Sequence, residues 1–223
     1  MASAVVLLSG GIDSSTLLHY VCRTLGVKTI YAISFRYGQR HSRELKAAAA
    51  QAAAVGVCEH RILDISGFGD MTAGGSVLTN PDSEIPYLSA IPEADRQQPP
   101  TYVPNRNMVL LSLAAAYAEA NDVGDIYYGA QAQDEYGYWD CTTDFLARIN
   151  TLLALNRKDA VTVHAPFIDK PKAEVVQIGL ELGVDYAQTW TCYRGGDTPC
   201  GSCPSCVERS NAFRKIGHDD PLT

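Results

Sequence analysis

Ala4-Val5-Val6-Leu7-Leu8-Ser9-Gly10-Gly11-Ile12-Asp13-Ser14-Ser15-Thr16 is the stretch on which the reading of this chain turns. Its first residues are short, apolar and rich in β-formers, which predicts a buried strand over Ala4 to Leu8. Two adjacent glycines break the strand, and the cap-type residues Asp13, Ser14 and Ser15 lead into the helical run Leu17-Leu18-His19-Tyr20-Val21. Paired glycines let backbone N–H groups converge on one point and leave room for an oxyanion. The amino terminus of the following helix adds unpaired donors and a partial positive charge, so the loop is a phosphate-binding candidate. An ordinary strand-to-helix turn is the competing account.

Working outward, further strands are predicted over Thr29 to Phe35, Glu59 to Asp64, Asp125 to Ala130 and Val161 to Ala165. Helices are predicted over Ser14 to Leu25, Ser42 to Val55, Asn105 to Asn121, Thr143 to Asn156 and Lys172 to Leu182. Such alternation predicts an α/β fold: a doubly wound, mostly parallel sheet with helices on both faces. Ligands in these sheets bind at the carboxyl ends of the strands, where strand order reverses. Between residues 67 and 104 the periodicity dissolves into Gly, Ser, Asp and six prolines, the pattern of a long loop or lid.

The 223 residues suit one domain with a small appendage, divided as 1–190 and a cysteine-rich segment, 191–223, packed on it. A net charge of −7 argues against direct nucleic-acid binding through the overall field. No basic leader opens the sequence and no run approaches the ~18 apolar residues of a membrane span, so a cytoplasmic protein without membrane contact is expected.

Four of seven cysteines cluster as Cys192-x7-Cys200-x2-Cys203-x2-Cys206, with Gly and Pro turning the chain between them. Four thiolates on short loops suit a closed tetrahedral zinc site, structural because no coordination position is left open; an iron–sulfur cluster can use similar spacing.

Ser9-Gly10-Gly11-Ile12-Asp13-Ser14 is not a Walker A loop, since no lysine precedes Lys28. It resembles the pyrophosphate loop of the N-type ATP pyrophosphatases, or PP-loop superfamily, whose fold is adenine nucleotide alpha-hydrolase-like. Over its full length the chain resembles the 7-cyano-7-deazaguanine synthase family within that superfamily. The resemblance rests on the loop, Tyr37-Gly38-Gln39-Arg40-His41, Val103-Pro104-Asn105-Arg106-Asn107, Gly137-Tyr138-x-Asp140-Cys141, Lys172-Ala173-Glu174 and the cysteines opened by Thr191-Cys192-Tyr193.

The resemblance implies adenylation of 7-carboxy-7-deazaguanine by ATP and Mg2+ and attack by ammonia or another amine, with ammonia and two ATP giving the nitrile, 7-cyano-7-deazaguanine, and a homodimer. Queuosine biosynthesis is the implied context. Ser9, Gly10, Gly11, Asp13, Ser14 and Ser15 would bind the pyrophosphate, with Asp13 near magnesium and Lys172 reaching the phosphates. Ser34 and Phe35 end the strand where the superfamily places adenine; a simple core strand is the alternative. Arg40 and His41 are candidates for catalysis at the mouth of the site, the first by pairing with an anion and the second by proton transfer. Tyr37, Gln39, Arg106, Asn107, Tyr136, Gly137, Tyr138 and Asp140 are the candidates for the substrate wall, with aromatic faces to stack on a flat base and a carboxylate for its amino edge.

Arg36, Trp139 and Thr142 depart from the family's usual acidic residue, proline and arginine. They leave open an alternative in which the enzyme stops at an amide, joined to an amine on another molecule or a protein acceptor. A zinc-containing nucleic-acid-binding or scaffold module is the reading from a different class.

Overall fold

The computed structural model describes residues 2–40, 42–96, 98–131 and 138–222. Five strands, β1 (Ser3–Leu7), β2 (Thr29–Arg36), β3 (Glu59–Asp64), β4 (Asp125–Tyr127) and β5 (Thr162–His164), form one sheet. All pairings are parallel, in the order β3-β2-β1-β4-β5. The chain runs outward from β1 in one direction to β3, then returns to build β4 and β5 on the other side. The reversal point therefore lies at the carboxyl end of β1, where the Ser9 to Ser15 loop begins.

The α-helices of the described residues are α1 (Ile12–Arg23), α2 (Arg43–Val55), α3 (Ser66–Thr72), α4 (Arg106–Ala120), α5 (Thr143–Leu153), α6 (Lys172–Glu181) and α7 (Pro204–Lys215). Strand alternation divides the core in two. Ala4 and Val6 of β1 with Ile30 and Ala32 of β2 pack under α1, α2, α6 and α7. Val5, Ile33 and Phe35 face α4 and α5 on the other side. The sheet is thus covered by helices on both faces, as the alternation predicts.

α2 follows its sequence signals closely: alanine-rich, and closed by Gly56 in the left-handed conformation at φ 72°. β4 is shorter than the predicted Asp125 to Ala130 run, because pairing thins to a single bond from Tyr128 N–H to the His164 carbonyl as the chain turns toward the cavity.

Two regions depart further from the reading of the sequence. The 67–104 segment contains α3 and three short 3-10 turns. It buries Leu78, Ile85 and Val103 against Trp190, Cys192, Cys203 and Cys206 in a small core of its own. The carboxy-terminal segment, in which few helix signals were legible, carries the twelve-residue α7 with Pro204 at its start. α7 is fixed by Phe213 in the core and by a buried ion pair, Arg209 Nε to Asp220 Oδ2 at 2.7 Å. No described helix is long and apolar enough to cross a membrane.

Candidate active site

The carboxyl ends of β1, β2 and β4 open onto a cavity of about 300 Å³. α1 starts at its floor with Gly11 as N-cap and no side chain capping it, which leaves its first-turn N–H groups to a ligand. Ser14 Oγ accepts from the N–H groups of Ser9 (3.1 Å) and Gly10 (3.2 Å) and so fixes the curl of the loop. Ser9, Gly11, Asp13 and Ser14 line the cavity, while Ser15 is buried behind them with its Oγ unpartnered.

Gly10 also lies behind the loop, at φ 85°, and a Cβ there would stand 2.3 Å from Glu44 O and 2.5 Å from Ala48 N. Both are backbone atoms of α2, so nothing flexible can yield. Gly10→Ala is expected to destabilise the fold by about 2–5 kcal/mol in urea unfolding, combining left-handed strain with overpacking, and to weaken ATP binding.

Lys172 opens α6 and donates from Nζ to Asp13 Oδ2 at 2.7 Å. Burial works against its charge, but the carboxylates of Asp13 and Glu208 outweigh that and hold its pKa above the ordinary lysine value. Asp13 Oδ1 is buried beside this pair with no hydrogen-bond partner. An orphaned carboxylate oxygen at a phosphate loop is a fitting ligand for a hard cation such as Mg2+.

Across the cavity, Arg106 is held 5.7 Å from the Tyr37 ring centroid, and Asp140 is only 3% exposed. Burial pushes the Asp140 carboxyl up, opposed by the Arg106 charge and the Asn107 N–H, which donates to Asp140 Oδ2 at 3.4 Å. Asn107 Nδ2 donates to the Asp140 carbonyl. Tyr138 stacks on Tyr102 with centroids 6.4 Å apart and shares a 2.8 Å hydrogen bond with Thr101 Oγ1. Aromatic faces beside a carboxylate and a guanidinium can hold a flat, polar-edged base.

Gln39 is a girder of this wall: its Oε1 accepts from Tyr37 N–H at 2.7 Å, and its Nε2 donates to the Phe35 carbonyl and to Glu44 Oε1. Arg40 reaches the cavity, yet donates to the carbonyls of Val77 (3.1 Å), Asn80 (2.6 Å) and Ser83. It therefore clamps the 67–104 segment over the site. Phe35 lines the cavity and Ser34 does not; the Ser34 hydroxyl pairs with the Leu8 carbonyl and His60. His41, Tyr136 and Gly137 lie outside the described residues.

The sequence reading did not single out Glu44, Tyr102, Tyr193 or Glu208, all of which line the cavity. A weak signal existed for two of them. Glu44 follows Arg40 by four residues, and Glu208 follows Cys206 by two.

The departures from the family pattern fall away from the cavity. Arg36 is exposed and pairs with Asp64 at 3.4 Å across β2 and β3. Trp139 is 42% exposed, packs edge-on to Phe145 and donates to Tyr102 Oη at 2.7 Å. Thr142 caps α5, accepting from Phe145 N–H. None of the three lines the cavity among the described residues.

The ligand atoms of Cys192, Cys200, Cys203 and Cys206 all lie within 4.8 Å of one another, so together they can hold a metal ion. A tetrahedral zinc with Zn–S near 2.3 Å puts sulfurs about 3.8 Å apart, and Cys200 Sγ stands 4.0 Å from Cys206 Sγ. A cubane cluster, with an iron at each of four corners, would spread its thiolates further. N–H groups of Cys200 and Cys203 donate to Cys192 and Cys200 sulfurs, as thiolates require.

A family model described as queuosine biosynthesis protein QueC matches residues 3–217. The chain belongs to the QueC family. Curated relatives agree in length as well as sequence. A 7-cyano-7-deazaguanine synthase from Alteromonas mediterranea is 43% identical over 99% of this chain and 97% of that protein. One from Archaeoglobus fulgidus is 45% identical over 98% of this chain and 89% of its own length. Among solved structures, the U34-tRNA thiolase NcsA of Methanococcus maripaludis, with a 4Fe–4S cluster, shares 16% identity at a TM-score of 0.50. That match covers 97% of this chain and 68% of the thiolase. The NMN synthetase of Francisella tularensis shares 13% identity at 0.50, covering 98% and 78%. These two likenesses speak for the fold of the QueC chain alone.

Proposed function

We propose that the protein is a 7-cyano-7-deazaguanine synthase, turning 7-carboxy-7-deazaguanine into its nitrile with ammonia and two ATP. The observation that carries the reading is one cavity in a QueC-family chain holding the phosphate loop, the Asp13–Lys172 pair and the Arg106–Asp140 wall.

The chemistry starts from a poor electrophile. Oxide is a poor leaving group, so the carboxylate oxygen first attacks the α-phosphorus of ATP and pyrophosphate departs. The first-turn N–H groups of α1 receive the pyrophosphate, and Lys172 offsets charge growing on the phosphoryl oxygens. Asp13 would hold a magnesium ion, which when bound would further neutralise that charge. Ammonia then adds to the acyl carbon, the bond to AMP breaks, and an amide results. In the second round the amide oxygen attacks another ATP, and loss of AMP with two nitrogen protons leaves the nitrile.

Tyr37, Tyr138 and Asp140 hold the flat base so that its carboxyl meets the α-phosphorus; positioning of this kind supplies much of the barrier reduction. The four cysteines bind a single structural zinc. The partners in this reading are the deazaguanine acid, ammonia from solution and a second copy of the chain.

An enzyme that stops at the amide is not favoured. None of the three altered positions lines the cavity among the described residues: Arg36 pairs at the surface, Thr142 caps α5, and Trp139 supports Tyr102 without reaching the cavity itself. Product analysis tests the choice: with 7-carboxy-7-deazaguanine, ATP, Mg2+ and ammonium, mass spectrometry is expected to find the nitrile and AMP. Accumulated amide with no nitrile, or ADP in place of AMP, would overturn the reading.

A further inference from the structure

The chemistry just described moves protons off nitrogen three times: once as the ammonia adduct becomes the amide, and twice as the amide becomes the nitrile. Asp13 is taken up by Lys172, and Asp140 by Arg106 and the Asn107 N–H. Glu44 is different. It stands in the first turn of α2, whose backbone touches the phosphate loop at Gly10, and its side chain lines the cavity. Oε1 is oriented by the Gln39 Nε2 donor at 2.7 Å, and Gln39 is itself locked by Tyr37 N–H and the Phe35 carbonyl.

Glu44 thus shares one cavity with the phosphate loop and the base wall, its carboxylate beside Gln39. Resting on the function proposed above, we infer that Glu44 is the general base of the amidation and nitrile-forming steps, taking each proton from the substrate nitrogen and releasing it to water. In the first round the N–C bond forms, the C–O bond to AMP breaks, and one N–H electron pair returns to nitrogen as its proton passes to the carboxylate. In the second, one proton leaves nitrogen on forming the O-adenylyl imidate. The other leaves as C–O cleavage expels AMP and the nitrogen pair completes the triple bond.

The electrostatics suit a base working near neutrality. Burial raises the Glu44 carboxyl to about 7, against the opposing pull of the Gln39 hydrogen bond and the Arg106 charge; among the described residues Tyr37 is a further titratable neighbour. Below that pH Glu44 is protonated and cannot accept, so nitrile formation should rise with pH through about 7 and then level. Folding linkage runs the opposite way. The folded state keeps a proton that an unfolded carboxylate loses at lower pH, so stability falls as pH rises from the ordinary carboxylate range to about 7. Glu44→Gln removes that cost and retains an acceptor for Gln39, so the fold should survive it.

The test compares wild type, Glu44→Gln and Glu44→Asp, with the amide, 7-amido-7-deazaguanine, as substrate for nitrile formation. Exchange of labelled pyrophosphate into ATP, driven by the carboxylic acid, reports adenylation before any nitrogen proton moves. The expected result is exchange within about threefold of wild type in Glu44→Gln, nitrile formation slowed about 10²- to 10⁴-fold, loss of the limb near pH 7, and partial rescue by Asp. An unchanged nitrile rate and pH profile overturns the assignment, as does equal loss of exchange and nitrile, which would make Glu44 a binding residue. Absence of acid-dependent exchange in the wild type would instead overturn the function on which the inference rests.

Discussion

Lys172→Met should lower acid-dependent AMP formation by about 10²- to 10³-fold, the loss usual when one preorganised stabilising group is removed from a developing anion. The effect has two sources that can be separated. Lys172 Nζ sits 2.7 Å from Asp13 Oδ2 in a largely buried pair, so removing the cation leaves a buried carboxylate uncompensated. Breaking such a pair costs about 3–5 kcal/mol of stability, whereas deleting both charges is much milder. Asp13→Asn/Lys172→Met should therefore recover most of the stability in urea unfolding and none of the turnover. If the double variant also recovers turnover, Lys172 is a structural cation and the account of the phosphoryl step is wrong.

Stripping the metal should abolish turnover while leaving most far-UV circular dichroism intact. The four cysteines do more than close a tail. Trp190, Thr191 and Tyr193 before the second ligand, and Pro204, Ser205 and Glu208 after the third, all line the cavity. Metal binding energies in small zinc modules, about 10–16 kcal/mol, match or exceed the stability of an ordinary domain, about 5–15 kcal/mol. Loss is expected to remain local, because the Arg209–Asp220 pair and the burial of Phe213 anchor α7 independently of the thiols. Chelation followed by metal analysis, activity and limited proteolysis should show cleavage near residues 194–202 in step with lost activity. Metal-free protein that keeps its full rate would contradict this coupling.

The sheet was legible in the sequence because its signals are local. Ala4 to Leu8 and Thr29 to Phe35 are apolar runs bounded by turns, and α2 carries its own propensity and glycine stop. α7 was not legible, since its sequence is polar and it is anchored by Asp220 and by a core built by other elements. Arg40 shows the same limit at a side chain. Its type and place beside the loop suit an anion, but it meets carbonyls 37 to 43 residues away in a segment without periodicity. Trp139 and Thr142 read as changes to a binding wall from their positions beside Asp140; in the fold neither lines the cavity, Trp139 supporting the cavity residue Tyr102 and Thr142 capping α5. Glu44 escaped notice because a glutamate in a first helical turn is ordinary until the cavity is seen on its far side.

The central claim is that one cavity adenylates the same carbon's oxygens twice. Substrate acid carrying ¹⁸O in both carboxylate positions tests it most directly, with AMP and product followed by mass spectrometry. Each round should carry one labelled oxygen onto phosphorus, giving two singly labelled AMP per nitrile. Unlabelled AMP, or one labelled AMP with an amide as the final product, would contradict it.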